Sequence, residues 1–240
     1  IIKHIRDIKP DIIIHLASNN TGATLIDNFY NYYLSNVLSY LRLFFSYLFF
    51  SKNSKFIFAG SSMMFDNLNK KKVDEDTNFS SNSYYGLYKI HCHKISILLK
   101  KLFNLKFTTV ILFNHDSKFR NNAFLLPRLI SSIKKRKFSF VKRIYKENIF
   151  LDSSHAYDIC ESILRISFSN KNFDKLILSS GKITKLSFLI KTFLKNKIKY
   201  PFKKNNLKYL IGDNTLFIKE FKFHNKKNTL IAFKEIYKIL

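Results

Sequence analysis

Glycine is scarce in this 240-residue chain, which contains only five. None of the five stands at the Gly-x-x-Gly-x-x-Gly or Gly-x-Gly-x-x-Gly spacing that lets a backbone cradle a pyrophosphate, so a dinucleotide-binding loop is excluded. Cysteine is equally rare. Cys92 and Cys160 cannot build a disulfide framework, which favours a reducing compartment, and we expect a cytoplasmic location.

Acidic residues are also few, 16 against 42 lysines and arginines, and the formal net charge is +26. Such a charge is typical of nucleic-acid-binding proteins. It also arises in an AT-rich genome, whose codons favour Lys, Asn, Ile and Phe. The basic runs at 70–72, 134–137 and 203–204 are short and scattered, which favours the second explanation. We therefore expect no specific nucleic-acid partner, although a basic surface attracts anionic substrates such as nucleotides.

Long uninterrupted apolar runs are absent. The best membrane candidate, residues 32–50, contains Asn36 and Arg42, which are costly in hydrocarbon. Charged residues interrupt the first seven positions, so no signal peptide is expected. The segment 32–50 is predicted to be a buried or dimer-forming helix, and no membrane partner is expected.

Alternating strands and helices fill the first half of the chain. Short apolar runs, typical of strands buried on both faces, are separated by helical stretches, and this order predicts a parallel α/β sheet. The predicted strands are 12–14, 56–59 and 107–113, and the predicted helices are 34–50 and 85–103, with a polar loop at 67–83.

The second half changes character after Asn114 and predicts a smaller, mixed lobe. We therefore divide the chain into domains at 1–113 and 114–240, interleaved in space. The predicted elements are a helix at 124–133, a strand near 149–150, a helix after His155, a strand at 176–178, and helices at 184–193 and 229–240 capped by Thr184 and Thr229.

Tyr85 and Lys89 lie four residues apart at a predicted helix start and therefore share one face. A nearby ammonium favours the ionised phenol, which makes Tyr85 a candidate base. This spacing alone arises by chance in a chain with 13 tyrosines. Ser61 at a strand end could hydrogen-bond a substrate oxygen, and Leu16-Ala17-Ser18 ends an earlier strand where a ribose or nicotinamide could approach.

These residues resemble a known pattern. Lys9-Pro10-Asp11-Ile12-Ile13-Ile14-His15-Leu16-Ala17 is similar to the fourth-strand signature of extended short-chain dehydrogenases, and Ser61, Tyr85 and Lys89 match their catalytic Ser/Thr, Tyr and Lys. Asn36 matches their structural asparagine. Leu112-Phe113-Asn114-His115-Asp116-Ser117 and His155-Ala156-Tyr157-Asp158 resemble segments of the GDP-mannose 4,6-dehydratase family.

The resemblance implies a partial Rossmann-type fold and an internal redox cycle that uses NAD or NADP, with NADP favoured. Tyr85 would take the sugar 4-hydroxyl proton, Lys89 would hold the tyrosine ionised, and Ser61 would hold the keto oxygen. It also implies a nucleotide-diphosphate sugar, GDP-mannose in the nearest family, and a homodimer or homotetramer built on helices 34–50 and 85–103. The implied cofactor contacts are Leu16, Ala17, Ser18, Asn36, Tyr85, Lys89, Phe113 and His115, and the implied substrate contacts are Ser61, Asn114, Arg120 and Arg128.

The chain departs from this family at several positions. Met63 stands where the dehydratases have the Glu that serves elimination, and Leu151 stands where they have an arginine. Without the glycine loop, the chain is predicted to begin at the helix before the fourth strand, as an N-terminally truncated or divergent member. The alternatives are a nucleotide-sugar 4-epimerase or 4-keto reductase, and a truncated non-catalytic copy. No metal site is expected, because His91 and His93 point to different sides of a helix.

Overall fold

A computed structural model describes residues 1–19, 29–68, 72–147, 149–194 and 209–240. The chain divides into two compact units. Unit 1 contains residues 1–69, 75–112 and 163–176, and unit 2 contains residues 70–74, 113–162 and 177–240. These units are defined by packing, so the functional division at 1–113 and 114–240 stays a prediction.

The described secondary structure alternates between helices and strands. The helices are α1 (Ile2–Ile8), α2 (Phe29–Tyr33), α3 (Ser39–Phe50), α4 (Tyr84–Phe103), α5 (Leu125–Lys134), α6 (Phe138–Glu147), α7 (Ala156–Ser167), α8 (Leu186–Phe193), α9 (Thr215–Phe221) and α10 (Thr229–Ile239). The strands are β1 (Ile12–His15), β2 (Lys55–Ser61), β3 (Lys72–Val73), β4 (Lys106–Leu112), β5 (Asn114–Asp116), β6 (Phe150–His155), β7 (Lys175–Leu178), β8 (Ile183–Lys185) and β9 (Ile211–Gly212).

The sheet of unit 1 has the strand order β1-β2-β4-β7, and the first two residues of β7 belong to this unit. Strand β2 pairs in parallel with β1 on one side and with β4 on the other. Helices joining such strands lie on the sheet faces, and α4 packs on β2 and β4. The predicted parallel α/β class is confirmed.

Aromatic side chains form much of the unit 1 core. Tyr40 and Phe44 of α3 pack on Phe56 of β2, with ring centroids 6.1 and 5.3 Å from it. Phe44 also meets Phe107 of β4 edge to face at 5.5 Å. Such geometry adds about 0.5–1.5 kcal/mol per pair beyond the buried area. The high phenylalanine content therefore serves packing in this unit.

Unit 2 contains small sheets and a helical layer. Strand β6 pairs in parallel with β5 and antiparallel with β8, while β3 pairs in parallel with β9. The buried carboxylate of Asp152 accepts hydrogen bonds from the Ser180 amide (2.8 Å) and hydroxyl (2.6 Å) and from the Gly212 amide (3.0 Å). Because charged acceptors strengthen hydrogen bonds, this residue ties β6 to β9 and to the turn after β7.

Several predicted boundaries move. The helix predicted at 34–50 begins at Phe29 and passes through a π-helical turn at Leu34–Leu38 before α3. The cap predicted at Thr184 is wrong, because Thr184 lies in β8 and α8 begins at Leu186. The cap predicted at Thr229 is shifted by one residue: the Asn228 side chain accepts from the Ile231 amide.

Within the described residues, no helix combines the length and the apolar character that crossing a membrane requires. The segment 32–50, which was predicted to be a buried or dimer-forming helix, is partly buried. Tyr40, Phe44 and Tyr47 are fully buried, and Phe45 and Phe49 are exposed.

Candidate active site

The N-terminus of α4 positions Tyr85. Ser83 caps this helix, because its hydroxyl accepts a hydrogen bond of 3.1 Å from the Gly86 amide. The cap fixes where the first turn starts, and Tyr85 is the second residue of that turn. Its side chain is half-buried. Lys89 follows one turn later on the same face, and its Nζ lies 5.6 Å from the centroid of the Tyr85 ring.

Lys89 is a buried lysine, only 5% exposed. Its Nζ donates a 2.8 Å hydrogen bond to the Ala59 carbonyl of β2 and lies 4.8 Å from the Phe58 ring centroid. Burial lowers the pKa of Lys89 to about 8, because low dielectric disfavours the charged form. A lysine ammonium has three N–H donors. Ala59 takes one of them, which leaves capacity for ligand hydroxyls.

Ser61 is the last residue of β2, two positions after the carbonyl that holds Lys89. Its hydroxyl caps a short 3₁₀ helix, Ser62–Phe65, by accepting a 3.2 Å hydrogen bond from the Met63 amide. The hydroxyl hydrogen remains able to point at a ligand. The structure thus brings Ser61, Tyr85 and Lys89 to the carboxyl end of β2, where parallel α/β sheets place their ligands.

Gly86 allows α4 to approach the chain after β2 very closely. A Cβ at this position would fall on the Ser81 hydroxyl and on the Met63 carbonyl oxygen. The Met63 oxygen is backbone and cannot rotate away. Gly86 therefore fixes the distance between the turn that carries Tyr85 and the segment that follows Ser61.

Replacing Gly86 with alanine is expected to destabilise the protein by about 1–3 kcal/mol, the usual cost of overpacking. The sign of the change in unfolding free energy is informative, because replacing glycine with alanine in an open helix stabilises a protein by roughly 0.5–1 kcal/mol. Urea denaturation of the variant measures the difference. Leu87→Ala, at the exposed neighbouring position, is the control. A more stable Gly86→Ala protein would contradict the close approach.

Asn36 organises the loop after β1. Its Oδ1 accepts from the Ser18 hydroxyl (2.7 Å) and the Asn19 amide (2.8 Å), and its Nδ2 donates to the carbonyls of Asn19 and Tyr32, both at 3.1 Å. All four hydrogen-bonding positions of this side chain are therefore used inside the protein. Asn36 was predicted among the cofactor contacts, and in the structure its side chain holds the loop after β1. Leu16 and Ala17 are exposed on that loop.

His15 was not among the predicted site residues. It ends β1, and its ring centroid lies 5.9 Å from that of Phe58, the same ring that the Lys89 ammonium approaches to 4.8 Å. Burial and then the positive charge of Lys89 lower the pKa of His15 to about 4. This imidazole is therefore neutral at physiological pH. Its position directly before Leu16-Ala17-Ser18 was the available sequence signal.

The remaining predicted site residues lie in unit 2. Phe113 is buried just before β5, and its carbonyl lies 2.8 Å from His115 Nδ1. Burial lowers the pKa of His115. Asn114 is exposed, and its Nδ2 reaches the Asp152 carbonyl at 3.4 Å.

Two predicted arginines in unit 2 stack on aromatic rings. Arg120 Cζ lies 3.7 Å from the Phe124 centroid, and its Nε lies 3.7 Å from the Asp116 carboxylate. Within the part of the chain that the structure describes, this buried Nε has no hydrogen-bond partner. Arg128 is exposed, with Cζ 4.6 Å from the Phe140 centroid. Stacking pre-orients both planar guanidiniums for anionic groups.

The two histidines of α4 diverge. His93 is buried and shares a 2.8 Å hydrogen bond with the Thr109 hydroxyl, whereas His91 is exposed. Over the described ranges, no three His, Cys, Asp or Glu side chains are grouped as a metal would require.

Comparisons with known proteins show the family of this chain. The family model for GDP-mannose 4,6 dehydratase matches residues 1–227. The human GDP-mannose 4,6 dehydratase is 25% identical over 143 residues, which is 58% of this chain and 38% of the human protein. The chain thus matches well under half the length of that curated relative.

Solved structures share the fold at low identity. RMD from Pseudomonas aeruginosa, complexed with NADPH, is 13% identical with a TM-score of 0.82, covering 99% of this chain and 84% of that chain. The dTDP-glucose 4,6-dehydratase from Bacillus anthracis, in complex with NAD, is 16% identical with a TM-score of 0.79, covering 98% and 74%. The UDP-N-acetylglucosamine 4-epimerase from Methanobrevibacter ruminantium is 19% identical with a TM-score of 0.77, covering 99% and 78%.

Proposed function

The chain belongs to the GDP-mannose 4,6-dehydratase family, and from this premise we propose that it carries the C4-oxidation chemistry of an NAD(P)-dependent nucleotide-sugar enzyme. The observation that supports the proposal best is the buried Lys89 ammonium, held by the Ala59 carbonyl beside the Tyr85 ring. The substrate we propose is a nucleotide-diphosphate sugar, with GDP-mannose as the first candidate.

Tyr85 takes the proton of the sugar 4-hydroxyl in this proposal. A phenol is a weak base at neutral pH unless a cation stabilises its ionised form. Lys89 supplies that cation one helical turn away, and Ala59 prevents its side chain from swinging out. Ser61 donates its hydroxyl hydrogen to the oxygen that becomes the C4 carbonyl, and so stabilises the charge that develops there.

A nicotinamide cofactor supplies the other half of the reaction by accepting the C4 hydride. The residues around Lys89 fit the ribose and nicotinamide end of such a cofactor, because two Lys89 N–H donors are available and Leu16 and Ala17 are exposed. The glycine loop for the pyrophosphate is absent from the sequence. The choice of NADP over NAD rests on the family alone.

Unit 2 supplies the proposed substrate contacts, Asn114, Arg120 and Arg128. The guanidinium of Arg120 is stacked on Phe124, and its buried Nε lacks a hydrogen-bond partner among the described residues, with Asp116 as an ionic neighbour at 3.7 Å. The side chain is 29% exposed, and a guanidinium with hydrogen-bonding capacity left over favours an anionic or carbonyl ligand. We assign Arg120 to the sugar nucleotide and Arg128 to its diphosphate on this basis and on the family resemblance.

Met63 limits the proposal to oxidation. Elimination of water across C5 and C6 requires a base for the C5 proton, and a thioether cannot serve as one. A nucleotide-sugar 4-epimerase or 4-keto reductase needs the same Ser, Tyr and Lys without that base, and it is the second candidate function. A non-catalytic member is the third candidate, and it predicts that the chain binds no nicotinamide cofactor.

Self-association through α3 and α4 belongs to the same proposal. Both helices expose large apolar residues, among them Phe45, Phe49, Leu98 and Leu102. Apolar surface of this kind is commonly covered by a partner. A homodimer or homotetramer is therefore proposed, together with a cytoplasmic location, where the two free cysteines would stay reduced.

The test supplies the full-length protein with GDP-mannose and NADP or NAD and follows nicotinamide reduction against pH. The rate of nicotinamide reduction is expected to fall as pH rises above about 8, because Lys89 then loses the proton that gives it its charge. Lys89→Arg keeps a charge at all these pH values. Its residual activity should therefore continue to higher pH. If the rate falls at the same pH in both proteins, Lys89 does not control the pH dependence. If no nicotinamide is reduced with either cofactor, the proposed function is rejected.

A further inference from the structure

The excess positive charge is concentrated in unit 2. This unit contains 28 of the 42 lysines and arginines but only 9 of the 16 acidic residues. The sequence suggested that the basic residues are scattered. Folding gathers many of them, because the run 134–137 spans the end of α5 and the turn to α6, and both helices carry further cations.

Among the described residues, the helical hairpin formed by α5 and α6 is a strongly basic surface. Its residues 128–146, which we name the basic hairpin, contain eight lysines and arginines and no aspartate or glutamate. All eight cationic side chains are exposed. At the end of α6, Glu147 lies 3.9 Å from Arg143, a distance that gives little pairing. The hairpin therefore presents eight exposed positive charges and contributes no acidic residue of its own.

Two arginines of the basic hairpin share one aromatic ring. Arg128 of α5 and Arg143 of α6 place their Cζ atoms 4.6 and 5.2 Å from the Phe140 centroid. Each guanidinium is attracted to the ring, and this attraction holds two positive charges on one part of the hairpin. Anionic groups are the ligands that such guanidiniums bind.

The hairpin offers little for insertion into a bilayer. The apolar stripes of both helices, including Leu129, Ile133, Val141 and Ile144, are buried in the core of unit 2. Phe138, at 37% exposure, is the large apolar side chain that emerges from this segment. Interfacial helices need a broad apolar face as well as charge. A water-borne polyanion suits this surface better.

We propose that the basic hairpin binds single-stranded nucleic acid through its phosphates, without sequence preference. Several exposed cations on one hairpin can neutralise the phosphates of a polynucleotide backbone, and the exposed ring of Phe138 offers a face on which a base can stack. Arg128 is shared with the proposed diphosphate site, but this binding requires no C4 oxidation, and the chain can be tested for it without cofactor.

The experiment measures binding of a fluorescein-labelled 20-nucleotide oligouridylate by anisotropy at several salt concentrations. One variant combines Lys135→Gln, Lys137→Gln, Lys142→Gln and Lys146→Gln. The matched control combines Lys3→Gln, Lys52→Gln, Lys94→Gln and Lys101→Gln, four exposed lysines of unit 1, and changes the net charge equally. Circular dichroism establishes that both proteins are folded.

The hairpin variant should bind at least tenfold more weakly at low salt, and the control less than threefold. The slope of log Kd against log salt should also fall in the hairpin variant, by about 0.7 for each phosphate that the protein no longer neutralises. Equal weakening in both variants would overturn the proposal, because net charge alone would then explain binding. Absent binding by the unmodified chain, or binding only to phosphatidylserine vesicles, would overturn it as well.

Discussion

Tyr85→Phe is expected to lower the rate of C4 oxidation by at least about a thousandfold, within the range that general bases contribute. The substitution removes only the phenolic oxygen, so the ring beside Lys89 and the α4 helix cap are retained. Sugar-nucleotide binding should change little, because the missing hydroxyl acts on a proton. Single-turnover reduction of nicotinamide measures the rate, and equilibrium titration measures binding.

Tyr84→Phe is the matched control for this result. Tyr84 is the neighbouring residue in the same helical turn and is 53% exposed. Consecutive helical residues point about 100° apart, so Tyr84 does not share the face of Lys89. Removing its hydroxyl should leave the rate within about threefold. If Tyr85→Phe also retained the full rate, the assigned base would be wrong.

The sequence predicts this pair because helical spacing is local. Residues four apart share a face in any helix, so Tyr85 and Lys89 could be placed together without knowledge of the fold. The Ala59 carbonyl could not be predicted as the partner of Lys89, because that hydrogen bond joins residues 30 positions apart. It depends on how α4 packs over β2, which no local pattern encodes.

The strands of unit 1 were predictable for a similar reason. Ile12-Ile13-Ile14 and Phe56-Ile57-Phe58 are continuous apolar runs, as strands buried on both faces require. Helix α6 was not predicted, because lysines and arginines surround its buried residues Val141, Ile144 and Tyr145. Its N-terminus also lacks a Ser, Thr, Asp or Asn immediately before Phe138. The lysines and arginines that obscure the helical pattern of α6 in the sequence are also part of the basic hairpin.

Hydrogen bonds and packing contacts between residues far apart in the sequence made unit 2 harder to predict. The amide of Gly212 reaches Asp152 across 60 residues, and a Cβ at Gly212 would strike Ile177, Phe113 and Ser179. Strand β9 is only two residues long, too short for a periodic pattern. Its existence depends on partners from other segments, so the sequence alone predicted only a mixed lobe.

Met63→Glu is expected to add elimination to oxidation. Met63 directly follows the Ser61-Ser62 pair, its side chain is 39% exposed, and its carbonyl abuts α4 at Gly86. Its backbone is therefore fixed beside the turn that carries Tyr85. A carboxylate here could take the C5 proton once C4 is a ketone, because the ketone acidifies that proton. The C5–C6 double bond forms as the C6 hydroxyl leaves, and the proton taken by the carboxylate converts that hydroxyl into water.

The measurement is the 4-keto-6-deoxy sugar, detected by mass as the loss of one water. In the unmodified chain, reduced nicotinamide should accumulate to about one equivalent per protein chain. No C5–C6 alkene forms there, so the hydride is not taken back at C6. In Met63→Glu the reduced form should decline as product rises from background by at least tenfold. Met63→Gln has similar size but cannot take a proton, so it should behave as the unmodified chain does.

Two comparisons decide whether residue 63 carries this difference. Combining Met63→Glu with Tyr85→Phe should abolish product, because elimination requires prior oxidation at C4. If the Met63→Glu protein oxidises C4 normally yet releases no water, the elimination base lies elsewhere. The chain then differs from a dehydratase at more than one residue, as an enzyme that only oxidises C4 or an epimerase would. If the unmodified chain already forms the 4-keto-6-deoxy sugar, another group takes the C5 proton and Met63 does not limit the reaction.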